Sequence, residues 1–209
     1  MTAGTRTRGR IDKRLAILEA ASVVFAREGY AQAGVDEIAA EAGVAKATVY
    51  SHFGDKQTLL RECLMTEADR AAQANLEAVE RLLEPGSDVR AALEDVAVKL
   101  LQCYTDQRSW ALRRLVTAEV PQHPELVDVY CTRASTRVSQ ALADRLLALS
   151  VAGHLSVPDP ALAAEHFASL LTGGMDTRTR FGTRAVPEEE LREVAKAAVD
   201  TFLRAFAPA

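Results

Sequence analysis

Between Ile11 and Glu28 the apolar side chains fall at Ile11, Leu15, Leu18, Ala21 and Phe25, in steps of four and three that line one face of an α-helix. Further segments of helical spacing follow along the chain, and runs of Val, Ile, Thr and Tyr that would build strands are absent. Side chains on a strand alternate every second residue, so a 3.6-residue period cannot be satisfied in a sheet. Such a chain is confined to helices packed on helices. Alanine and leucine dominate and aromatics make up only 5%, which favours the same outcome. The expected fold is all-α.

Breakers divide the chain into about nine helical segments. Gly29 closes the first, and two short helices follow at about Val35–Ala42 and Ala45–Phe53. A long helix starts after Asp55, a good N-cap, and runs to about Leu83, where Pro85-Gly86-Ser87-Asp88 stops it. The remaining helices are expected at about 88–104, 107–120, 125–150, 159–175 and 187–206. With 209 residues there is ample chain for a buried core in one or two domains. No internal repeat or low-complexity tract stands out. The organisation read from this pattern is a small head, 1–54, and a larger helical body, 55–209.

The formal net charge of −4 does not point to a nucleic-acid binder, but charge is unevenly distributed. Arg6, Arg8 and Arg10 lie in a first decade without an acid. Residues 1–56 carry eight Lys/Arg against seven Asp/Glu, whereas the rest carries seventeen against twenty-two. A mildly basic head on an acidic body suits a protein that touches phosphate at one end, although a frayed, soluble tail explains the arginines as well. Charges interrupt every helical stretch, so no segment can span a bilayer, and the N-terminus lacks the apolar core of a signal peptide. Cys63, Cys103 and Cys131 are odd in number and widely spaced, as expected of reduced thiols in a cytoplasmic protein.

The most informative stretch runs from Gly34 to Phe53. Val35, Ile38, Ala39 and Ala42 form the buried face of a two-turn helix, with Ala39 small where a neighbour crosses closely. Gly43 supplies a permissive backbone at a tight turn, and Val44 plugs the angle between the helices. In the next helix Ala45, Val49 and Phe53 recur every four residues and should face inward. Lys46 with Tyr50, and Ala47 with Ser51, form outward rows, and Thr48 and His52 lie on the flank. A short helix with an apolar back and a slim polar front is what a DNA major groove admits.

These residues, together with Phe25-Ala26-Arg27-Glu28-Gly29-Tyr30 before them and Asp55-Lys56-Gln57-Thr58-Leu59-Leu60 after them, resemble the DNA-binding domain of the tetracycline-repressor (TetR) family. About fifty residues match in order and spacing. The resemblance implies a helix-turn-helix regulator, most simply a repressor released from operator DNA by a small effector. It places Lys46, Ala47 and Thr48 near base edges, with Lys46 the side chain best able to read guanine. Tyr50, His52 and Lys56 would contact phosphates, Lys56 from the start of the long helix. The full expected DNA-contacting set is Val35, Asp36, Ala45, Lys46, Ala47, Thr48, Tyr50, Ser51, His52 and Lys56. Tyr50 also reads as a half-buried spacer. The family usually has Thr at position 34 and Ser at 45, where this chain has Gly34 and Ala45. Gly34 can still cap, with help from Glu37, but Ala45 cannot cap with its side chain.

Beyond position 60 the resemblance is architectural. The region Arg113-Leu115-Glu119, ending in Pro121–Pro124, resembles the C-terminal domain of AefR-like members. Such bodies bind an effector and hold a homodimer through their last two helices. Here those helices carry Phe167, Leu171, Val194, Ala198 and Phe202, more apolar width than one packed face requires. A deeply buried C-terminal helix in a monomer would account for the same residues. Candidate effector-pocket residues are Cys63, Cys103, Tyr104, Trp110, Tyr130 and His166, each of which also fits a plain core or surface role. No GxSxG, P-loop, GxGxxG or HExxH motif occurs, so no enzyme, cofactor or metal is expected. A helical protein-interaction adaptor explains the amphipathic body but leaves the match from Phe25 to Leu60 without a cause.

Overall fold

The computed structural model describes residues 3–83 and 88–208, with side chains at 11–82 and 88–208. The side chains of Arg6, Arg8 and Arg10 and the breaker Pro85-Gly86-Ser87 therefore lie outside the described residues. Eleven α-helices occur among the described residues, nine of them seven residues or longer, and no strand is present.

The chain forms two compact units. The first runs up to Ala68 and is completed by Ala111–Tyr130; the second comprises Asp69–Trp110 and the chain from Cys131 onward. In the first unit, α1 (Ala3–Gln32) is interrupted at Gly29, whose φ of 74° and ψ of 166° only glycine adopts without strain. Among its described side chains burial begins at Ile17 and continues through Leu18, Ala21, Val24 and Phe25. Ile11 and Leu15, expected on the same face, are instead exposed, because they precede the stretch over which α1 is covered. Then come α2 (Val35–Glu41), α3 (Lys46–Phe53) and the start of α4 (Lys56–Glu80), with α1 packed on α2 and α2 on α3. The later part of this unit holds the end of α6 (Gln107–Glu119) and α7 (Glu125–Tyr130).

The second unit contains a single turn of 3-10 helix at Arg81–Leu83 and α5 (Val89–Thr105), which the Asp88 carboxylate caps by accepting from the Ala91 N–H at 3.0 Å. After α7 the helix continues through a π-helical segment, Cys131–Ser135, into α8 (Thr136–Val151). Together these make the one long helix expected at 125–150. Next are α9 (Pro160–Thr172), α10 (Met175–Arg178) and α11 (Glu188–Phe206). Asp159 caps α9, with Pro160 at its first position. The four-residue α10 was not legible in the sequence, since one turn shows no period. The core joins α5, α8, α9 and α11 around Leu93, Val96, Leu101, Leu146, Phe167, Leu171, Val199 and Phe202.

Phe167 and Phe202 meet edge to face with centroids 5.0 Å apart. Four residues expected to face a dimer partner, Phe167, Leu171, Ala198 and Phe202, are therefore core residues of the single chain, and Val194 packs half-buried beside them. The apolar stripes of α9 and α11 face α5, α8 and each other. Leu162 and Leu170 of α9 remain exposed at 46% and 38%.

Candidate nucleic-acid interface

The turn between α2 and α3 is set by two backbone bonds. The Val44 N–H donates to the Ala39 carbonyl at 2.9 Å, and the Gly43 N–H to the Ala40 carbonyl at 3.1 Å. Gly43, at φ 63°, takes the left-handed position that this pattern of helix ending requires. Val35, Ile38 and Ala39 of α2, with Val49 and Phe53 of α3, are buried and fix how the two helices cross. Val35 thus faces the core; its side chain is no part of the exposed surface.

With its apolar back buried, α3 presents Lys46, Ala47, Tyr50 and Ser51 to solvent, and Tyr50 is 42% exposed rather than a buried spacer. Thr48 and His52 are half-buried on the flank, with the His52 ring 6.1 Å from that of Phe53. Ala45 does not join the inward face as the four-residue spacing suggested. It stands before the helix in extended backbone (φ −73°, ψ 146°), is exposed, and makes no side-chain cap bond. Gly34 likewise caps α2 without a side chain, and Glu37 does not assist it, because its carboxylate binds Arg27.

The basic side chains of this surface already have partners. Lys46 Nζ lies 2.8 Å from Asp36 Oδ2, and that bond raises the Lys46 ammonium above its ordinary range. Both groups are exposed, so water and salt screen the pair and its bond can be exchanged for a phosphate oxygen or a base edge. The Ser51 hydroxyl donates to the Thr48 carbonyl at 2.9 Å.

At the start of α4 the Asp55 carboxylate accepts the Thr58 N–H at 2.7 Å, which holds it below the usual carboxylate range. Lys56 folds back: Nζ lies 4.6 Å from the centroid of the Tyr30 ring and 3.3 Å from the Ala31 carbonyl. Tyr30 packs at 5.9 Å from Phe25 and meets His123 edge-on at 6.0 Å. The contacts around Tyr30, Gln57 and His123 escaped sequence reasoning. They join positions 66 to 93 residues apart, and no local spacing announces them.

Arg14 strengthens the same unit, pairing with Glu62 and lying over Phe53, its guanidinium 5.4 Å from the ring centroid.

The six effector-pocket candidates are divided between the two units. Cys63, buried with Sγ 3.9 Å from the Leu18 carbonyl, and half-buried Tyr130 belong to the first unit. In the second unit Tyr104 and buried Trp110 come together, centroids 6.0 Å apart, and the Tyr104 hydroxyl donates to Asp176 Oδ1 at 3.1 Å. Cys103 is half-buried, and burial pushes its thiol up, away from the reactive thiolate. His166 lies exposed on α9, its ring 6.4 Å from that of Phe206, and so does not line an interior. Among the described residues no group of three His, Cys, Asp or Glu could hold a metal ion, and no helix is long and apolar enough to cross a membrane.

Residues 17–63 match the profile of bacterial regulatory proteins of the tetR family, and residues 91–208 match the AefR-like transcriptional repressor C-terminal domain. The HTH-type transcriptional activator FasR of Mycolicibacterium smegmatis is 38% identical over 96 residues, which is 44% of this chain and 44% of FasR. The chain thus aligns with less than half the length of that relative. A TetR-family transcriptional regulator from Mesorhizobium loti has a crystal structure that superposes with a TM-score of 0.88 at 29% identity, over 94% of this chain and 98% of that one. The flavonoid-responsive regulator FrrA superposes with a TM-score of 0.70 at 27% identity, over 93% of this chain and 96% of its own. A buried-back, polar-front α3 set on a glycine turn, inside a chain matched by two profiles of one family, leads to one assignment: this protein belongs to the TetR family of bacterial regulatory proteins and carries an AefR-like C-terminal domain.

Proposed function

We propose that the protein is a ligand-responsive transcriptional repressor whose α3 reads operator DNA in the major groove. The observation that carries the reading is the exposed row Lys46, Ala47, Tyr50 and Ser51 on a short helix whose opposite side, Val49 and Phe53, is buried. In this reading 1–54 is the DNA-binding part and 55–209 binds the effector and a second copy. Lys46 leaves Asp36 to reach a base edge, while Tyr50, His52 and Lys56 meet phosphates. Ala45, Ala47, Thr48 and Ser51 lie against the groove wall; Asp36 is the acid that exchanges Lys46. Val35 contributes through its backbone at the start of α2.

The working form is a homodimer in the cytoplasm, since two recognition helices must enter successive major grooves about 34–36 Å apart. The exposed Leu162 and Leu170 on α9 supply an apolar face for an isologous contact. An effector that binds one arrangement of the dimer better than the other shifts the separation of the heads and releases DNA. The pair Tyr104 and Trp110 is the favoured place to look for effector contacts, and FrrA, named as flavonoid-responsive, is the precedent for a small-molecule ligand.

The test is a fluorescence-anisotropy titration with DNA from immediately upstream of the protein's own gene, against scrambled DNA of equal length at near-physiological salt. Binding at least about a hundredfold tighter to the upstream DNA supports an operator-specific regulator. Equal binding to both removes that DNA as the target, and no binding at any salt contradicts the reading.

A further inference from the structure

The turn between α6 and α7 carries a side chain to which the DNA-binding reading gives no task. We propose that His123 is a positioning residue for DNA binding: when neutral it ties this turn to the start of α4 and, through Tyr30, sets where Lys56 stands. Protonation transfers its Nδ1 from Gln57 to Glu125 and releases the tie. The inference rests on the DNA-binding reading above.

The geometry turns on one atom. His123 Nδ1 lies 3.3 Å from Gln57 Nε2 and 3.5 Å from Glu125 Oε1. A neutral imidazole with its hydrogen on Nε2 accepts the Gln57 amide N–H at Nδ1. An imidazolium carries hydrogens on both nitrogens and can no longer accept; its Nδ1–H donates to the Glu125 carboxylate in a charge-assisted bond. The neutral form therefore links the turn to α4, and the charged form turns it towards α7.

The position of the imidazole is fixed by the turn itself. The His123 N–H donates to the Glu119 carbonyl at 2.7 Å, and the Leu126 N–H donates to the His123 carbonyl at 3.0 Å. From this braced turn the ring meets the Tyr30 ring at 6.0 Å and 88°. Tyr30 in turn carries the Lys56 ammonium on its face at 4.6 Å. The side chain proposed to reach phosphate is thus two contacts from His123.

The titratable and charged groups around this site are Tyr30 from α1, Asp55 and Lys56 at the start of α4, Glu119 at the end of α6 and Glu125 at the start of α7. Burial first, then the charges of Glu119 and Asp55, raises the Tyr30 phenol, which keeps the ring neutral as a seat for the lysine. His52 on α3 is a second imidazole of this unit, proposed above to meet phosphate, and is replaced in the test so that His123 alone is read.

The experiment uses the full chain with His52→Gln and a labelled mixed-sequence duplex, since phosphate contact needs no operator. Affinity is read from about pH 8 to about pH 5.5, the span over which histidines change charge. The expected result is a fall of roughly threefold to tenfold on acidification, the scale of one lost hydrogen bond. His123→Ala is expected to bind weakly throughout. His123→Gln, whose amide oxygen still accepts the Gln57 N–H, should restore binding and flatten the profile. An equal fall in His52→Gln with and without His123→Gln overturns the proposal.

A second readout needs no DNA. The imidazole nitrogen NMR shifts of His123 at about pH 8 should report the Nε2–H tautomer, and Gln57→Leu should alter them. The Nδ1–H tautomer overturns the tie. Failure of the wild-type chain to bind any duplex would defeat the DNA-binding reading alone, with the tautomer still deciding the tie.

Discussion

Lys46 and Asp36 stand 2.8 Å apart on two helices that together would face DNA. In the free protein the carboxylate occupies the cation that the groove requires, and a bound duplex would bring phosphates close to an unneutralised Asp36. Asp36→Ala is therefore expected to raise affinity for any duplex by roughly twofold to fivefold at low salt, without changing thermal stability, because the pair is exposed. Parallel anisotropy titrations and melts of the two proteins check both halves of this statement. Asp55 supplies a pH prediction. Its folded carboxyl is held below the usual range by the Thr58 N–H, so the cap is fully present above about pH 4 and is lost as pH falls through the lowered folded value. Asp55→Asn keeps a capping oxygen that does not titrate, and its melting temperature should fall less steeply below about pH 4.

At the scale of elements, α3 begins without a side-chain cap because Ala45 stands where a hydroxyl or carboxylate would accept an N–H of the first turn. Ala45→Ser should stabilise the protein by about 0.5–2 kcal/mol, visible as a higher melting temperature; an unchanged or lower one would mean the first turn is satisfied in another way. In the second unit Phe202 is fully buried against Phe167, and Phe202→Ala should cost about 3–5 kcal/mol in denaturant unfolding. These elements also mark what the sequence could and could not reveal. The α2–α3 pair was legible because its causes are local: a four-residue apolar spacing, a glycine at the left-handed turn and an aspartate before α4. The inward burial of Phe167, Leu171, Ala198 and Phe202 was misread as a dimer face. An amphipathic stripe says that a helix is covered on one side, but not whether its own chain or a second copy covers it. Ile11 and Leu15 fail because an apolar spacing does not say how far along a helix the cover extends. The contacts of Tyr30, Gln57 and His123 depend on tertiary proximity that spacing does not encode.

For the whole molecule, the acidic majority of the charge and the mildly basic first quarter suit a protein that approaches DNA by one end. The dimer expected of such a regulator has an exposed candidate face in Leu162 and Leu170 on α9. Leu170→Glu should shift sedimentation towards monomer and weaken operator binding while leaving the helical spectrum intact; an unchanged dimer would place the contact on another face. Whether α3 reads base edges through Lys46 is decided by titrating the wild-type protein and Lys46→Ala against the bound upstream fragment and its single-base-pair variants. The wild type should discriminate each half-site position, and Lys46→Ala should lose about 1–3 kcal/mol of discrimination at one position per half-site, keeping the rest. An unaltered pattern of preference in Lys46→Ala would contradict that role for Lys46.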